Sequence, residues 1–123
     1  MPASWPEEAE THRELAIKCA QRAAEFATDA RQYGDRRREL VAVCDAELTN
    51  ILISLEKSKQ TKLSRRQWPQ FAKVRRDMST EHTEIARSKL ADVAGADDAL
   101  QRALLAEVAA LCADVVLILT RVA

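Results

Sequence analysis

Residues 104–123 read LLAEVAALCADVVLILTRVA, a helix-length run that is apolar almost throughout. Whether it crosses a bilayer or lines the core of a helical domain decides the fold. Three ionisable residues answer this, because Glu107, Asp114 and Arg121 recur every seven residues and put a charge at the middle of the run. On a helical wheel they form one narrow polar stripe. Leu104, Leu105, Val108, Leu111, Cys112, Val115, Val116, Ile118, Leu119 and Val122 cover about 160° of the circumference, and the alanines with Leu117 widen the apolar surface further. A bundle helix usually buries less than this. The run therefore predicts a deeply packed core helix with an apolar edge to spare, and Leu105, Val116, Leu117 and Leu119 are its candidate protein interface.

The rest of the chain agrees with a helical domain. At 123 residues it is one domain by length, able to bury a working core without disulfides or a metal. Two glycines, three prolines, few aromatics and 31% charged residues leave too little turn and β-forming material for a sheet. Three widely spaced cysteines with no CxxC pair point to reduced thiols in a cytoplasmic protein. The opening residues MPASWPEEAE carry no charged-then-apolar export pattern. No cofactor and no membrane contact are expected.

Apolar periodicity divides the chain into four helices, at approximately 5–33, 36–57, 64–93 and 97–122. The first starts near Ser4, where Ser, Pro and Glu7 make a capping pattern, and stops at Gly34. Its stripe is Leu15, Cys19, Ala23, Phe26 and Ala30, flanked by Trp5, His12, Ala16 and Ala27. The second carries Leu40, Val41, Cys44, Leu48, Ile51, Leu52 and Leu55, with Ala42, Ala46 and Ile53 as a minor stripe. The third starts at Ser64 or at Trp68-Pro69, and its predicted core face is Phe71, Val74, Met78, His82, Ile85, Ala86 and Val93. Gly95 precedes the fourth. Short glycine turns predict an all-α, antiparallel, up-down-up-down four-helix bundle. SWPEEA and QWPQFA lie 63 residues apart, and each opens a long helix followed by a second, more aliphatic one. The pair raises two similar helical hairpins as one origin of the bundle, with convergent capping as the other.

Zero net charge conceals a polarity. Eight basic residues stand between Lys57 and Arg76 with no acid among them, and removing them from the 19 basic residues leaves 11 against 19 acidic ones. Lys57 and Lys59 complement the C-terminal dipole of the second helix, but Arg65 and Arg66 stand where a helix start disfavours positive charge. Lys57, Lys59, Lys62, Arg65, Arg66, Lys73, Arg75 and Arg76, with Trp68 as a stacking platform, form a candidate surface for RNA, single-stranded DNA or an acidic protein partner. The acidic first helix EEAETHRE is a further candidate for the same charges. In architecture such a bundle resembles the small helical subunits of CRISPR effector complexes, which lie along nucleic acid.

Two catalytic or metal-binding patterns need weighing. Cys19, Cys44, Cys112 and His82 all fall on predicted core stripes at similar heights, a conceivable Cys₃His layer, but no CxxC or HxxxH pair nucleates it and free Cys is commonly buried. No metal site is therefore assigned. RRDMSTEH resembles the Arg-polar-x₄-His motif of HEPN ribonuclease domains over seven residues, which implies Arg76 and His82 as phosphate-bracing and acid-base groups. On a continuous helix those two side chains point about 120° apart, so the ribonuclease reading requires a helix break at DMST.

The function expected from the sequence is a non-enzymatic helical-bundle subunit or adaptor that assembles with itself or a protein partner. A nucleic-acid backbone-binding subunit is the second expectation. A HEPN-like ribonuclease is the third.

Overall fold

The computed structural model describes residues 5–60 and 68–121, and four α-helices make up most of them: α1 (Glu7–Gln32), α2 (Arg37–Lys59), α3 (Gln70–Ala91) and α4 (Asp98–Thr120). Among the described residues there is no strand. One 3₁₀ turn, Gly34–Arg36, joins α1 to α2. The expected helix starts at Ser4 and Ser64 lie outside the described residues. Pro6 and Pro69 hold the N-cap positions of α1 and α3, in extended backbone and without a side-chain cap. Proline fits there because the first helical amides need no intrahelical acceptor. Of the four helices, α4 has the side-chain cap: Asp97 accepts from the Leu100 amide at 2.8 Å. Neither glycine has positive φ, so neither turn depends on a left-handed residue.

The helices pack as a bundle in which α1 lies against α2 and α4, and α3 lies against α4 and α2. α1 and α3 are therefore on one diagonal, α2 and α4 on the other. The diagonals differ in kind. α2 and α4 fill the centre with Leu40, Leu48, Ile51, Leu55, Leu105, Val108, Val115 and Leu119. α1 buries Ala9, Ala16, Cys19, Ala20, Ala23, Ala27 and Ala30, and α3 buries Ala72, Arg76, Ser79, Thr83, Ala86 and Leu90. Interiors are filled at near-crystalline density, so bulky faces on one diagonal demand small faces on the other. The sequence stripes of α2 and α4 are thus observed, with Leu104, Leu111 and Val116 half-buried at the margin. Val122 lies outside the described residues. In α1 the alanines and Cys19 form the core face, while Leu15 is exposed and Phe26 half-buried.

The predicted core face of α3 is corrected. Of its seven residues only Ala86 and Val93 are buried; Val74, Met78 and Ile85 are 38–43% exposed, and Phe71 and His82 are half-buried. The helix has turned its small face inward because its neighbours α2 and α4 already supply the volume.

Length and composition alone would let α4 cross a membrane. In the bundle it holds one face in the core, with Glu107 and Asp114 exposed on the other.

Candidate functional site

The two ends of the bundle are built differently. At the end where α1 and α3 begin, Trp5 and Trp68 meet edge to face with ring centroids 5.0 Å apart. Trp5 is 3% exposed and belongs to the core, and Trp68 packs against it. The two Trp-Pro segments therefore plug one end together. The Arg76 guanidinium lies over the Trp68 ring, 4.6 Å from its centroid, and bonds Asp77 at 2.9 Å. Both indole N–H groups and the Ser79 hydroxyl are buried without a hydrogen-bond partner among the described residues.

This arrangement sorts the basic segment. Lys62, Arg65 and Arg66 lie outside the described residues. Lys57 and Lys73 are exposed and make no ion pair among the described residues; Lys59 pairs with Glu56 at 3.7 Å. Arg75 stacks on Phe71, 4.6 Å from the ring centre. Arg76 is buried, so its charge is directed to Trp68 and Asp77 and not to an outside phosphate. Trp68, with one ring face under Arg76 and Trp5 against it, is not an open stacking platform. No ion pair joins the acidic start of α1 to this segment among the described residues; Glu10 binds Arg13 of its own helix.

At the opposite end Arg37 is buried at the start of α2. Its Nε donates to the Ala30 carbonyl (2.8 Å), Nη2 to the Arg31 carbonyl (3.0 Å), and Nη1 to Asp98 (2.7 Å) and Gln101 (3.0 Å). One side chain thus satisfies the last carbonyls of α1 and binds the first turn of α4. The hydrogen bond from Arg37 holds the Asp98 carboxyl below its ordinary value. Beside this clasp lies an open cleft of about 500 Å³ lined by Thr28, Arg31, Gln32, Gly34, Arg37, Asp98 and Arg102. Within it one Asp98 carboxylate oxygen is bound to Arg37, and the Thr28 hydroxyl donates to the Ala24 carbonyl at 2.9 Å.

The cysteines do not form a metal layer. Cys44 donates to the Ala23 carbonyl at 3.4 Å, and Cys19 accepts from Arg22 at 3.8 Å. No group of three or more His, Cys, Asp or Glu side chains able to hold a metal ion occurs among the described residues. Burial pushes the Cys44 and Cys112 thiols up to about 12, with Cys112 adding to the effect on Cys44, and burial also raises Cys19. These are inert core thiols at neutral pH.

Arg76 and His82 are not brought together either. α3 is continuous through DMST, so the break that the ribonuclease arrangement needs does not occur. Arg76 points into the bundle, while the His82 Nδ1 lies 2.9 Å from the Met78 carbonyl on the outer side.

Of the expected apolar interface on α4, Leu105 and Leu119 are fully buried within the chain, Val116 is half-buried, and Leu117 alone stands open at 62% exposure. The extended apolar surface is on α3 instead. Val74, Met78 and Ile85 are exposed on one side of that helix, with Phe71 at its start. Sequence reasoning found these residues but gave them to the core. The missed signal was the repeat Ala72, Arg76, Ser79, Thr83, Ala86 and Leu90, a second, smaller face at helical spacing. Comparison with protein families, curated proteins and solved structures finds no match to this chain.

Proposed function

We propose that this protein is a non-enzymatic assembly subunit or adaptor, an up-down-up-down antiparallel bundle that docks through the outer face of α3. The observation that carries the proposal is the inversion of α3, whose larger apolar side chains Val74, Met78 and Ile85 face solvent while Ala72, Ser79 and Thr83 face the core. Larger apolar surfaces left exposed on a folded chain mark interaction sites. Antiparallel order is supported by the pairing of Arg22 with Glu47 (2.8 Å) between α1 and α2, of Arg87 with Asp45 (3.2 Å) between α2 and α3, and of Lys89 with Glu107 (3.3 Å) between α3 and α4. Arg13 donates to the Leu119 carbonyl (2.6 Å) between α1 and α4. The meeting of Trp5 with Trp68 supports two similar hairpins placed side by side.

Sedimentation of the purified protein, alone and with proteins that copurify with it, tests the reading. Native protein should travel in a complex that Met78→Glu dissolves while helicity and Tm are kept. A complex unaffected by Met78→Glu would remove α3 from the interface.

Lys57 and Lys73, exposed and without an ion pair among the described residues, favour a second reading in which this end of the bundle meets a nucleic-acid backbone. Anisotropy of labelled RNA and single-stranded DNA should then fall steeply with salt and weaken in the Lys57→Gln/Lys73→Gln variant. Salt-independent binding would count against it.

A further inference from the structure

The outer face of α3 carries more than apolar area. In heptad terms Phe71, Met78 and Ile85 occupy a positions and Val74 a d position, with Glu81 and Ser88 completing the d series. The flanks have opposite charge. Arg75, His82 and Lys89 stand at e, and Asp77 and Glu84 at g. Resting on the assembly reading above, we infer that the occupant of this face is a second copy of the chain, its α3 running parallel to the first about a two-fold axis.

Charge order selects the partner and its direction. In a parallel pair, each g residue meets the e residue five positions on in the other helix. That sets Asp77 against His82 of the partner subunit, and Glu84 against Lys89 of the partner subunit. An antiparallel pair would set g against g and e against e, stacking Asp77 on Glu84 along one edge and basic e residues on one another along the other. Zero net charge adds no long-range repulsion between copies. The seam is free to act, because Val74, Met78 and Ile85 are exposed and none of them belongs to the buried cluster. Lys89 and Asp77 already pair with Glu107 and Arg76 within the chain, so in the dimer each is shared between an intrachain and an intersubunit partner. Glu81 at a d position limits the seam to its neighbours and makes for a modest, concentration-dependent dimer.

Cross-linking reads the direction. The native cysteines are buried with raised thiol pKa values, so an introduced exposed cysteine reacts against a quiet background. Val74→Cys and Ile85→Cys, each alone, should form a disulfide-linked dimer under mild oxidation, since a parallel two-fold sets each residue against itself. Cross-linking only when the two variants are mixed would mean antiparallel pairing and overturn the inference. Met78→Glu should weaken the dimer about tenfold or more in sedimentation equilibrium, from loss of a buried apolar side chain. Glu84→Lys should also weaken it, and Lys89→Glu in the same chain should restore it. A folded native protein that stays monomeric at millimolar concentration overturns self-pairing; the assembly reading then stands if Met78→Glu still abolishes a complex with another protein, and falls if it does not.

Discussion

α3 and α4 are neighbours in sequence and in space, and they resolve the same problem in opposite ways. α4 has apolar residues around most of its circumference and buries its bulkiest face, Leu105, Val108, Val115 and Leu119, leaving Leu100 and Leu117 open. α3 has one apolar face and one of small and polar residues, and it buries the second. A helix's own amphipathicity therefore does not decide which face goes inward. Volume already supplied by its neighbours does, because the large side chains of α2 and α4 occupy the interior and leave little room for the valine, methionine and isoleucine of α3.

The comparison can be broken by truncating equivalent side chains. Leu105→Ala should lower unfolding stability by about 2–5 kcal/mol, whereas Ile85→Ala on α3 should change it by roughly 0.5 kcal/mol or less in the monomer. Urea denaturation of the two variants checks this, and equal losses would mean that α3 contributes Ile85 to the core. Enlargement gives the converse. Ala86→Leu, on the small face, should destabilise by about 1–3 kcal/mol through overpacking, although it makes the sequence more hydrophobic.

Ser79→Ala sharpens the picture of that face. The Ser79 hydroxyl is buried and unpartnered among the described residues, so removing it should leave stability unchanged or raise it by about 1 kcal/mol. A loss on that scale would reveal a hidden hydrogen bond. The thiols give the pH readout. Cys44 and Cys112 have folded values of about 12 against 9.0 in the open chain, so the folded state favours the neutral thiol. Their contribution is complete below pH 9 and is lost as pH rises from 9 towards 12. Alkaline denaturation of Cys112→Ala should accordingly show a shallower pH dependence than the native chain, and an identical slope would exclude this thiol as a source.

Much of the fold was legible in the sequence, for reasons that also explain the misses. The α2 and α4 stripes were readable because Leu48, Ile51, Leu105 and Val115 recur at helical spacing and have no competing face. α3 offered two faces at that spacing, and hydrophobicity ranked the wrong one first. Choosing between them requires knowing that Leu, Ile and Val from α2 and α4 occupy the interior, a three-dimensional fact. The candidate site followed suit. Val74, Met78 and Ile85 were visible as a set but assigned inward, while Leu105 and Leu119 were assigned outward from a helix with apolar surface in excess. Arg76 counted as one of eight charges in the sequence, and nothing local announced that Trp68 would cover it.

The seven small side chains that α1 buries have a practical consequence for anyone mapping this molecule by mutation. Six of them are already alanine, so along the inner edge of that helix an alanine scan could report only Cys19 and would credit the core almost wholly to the other helices. The missing contribution there is closeness of approach, which no deletion of atoms can report. Only substitutions that push the helices apart would make α1 audible.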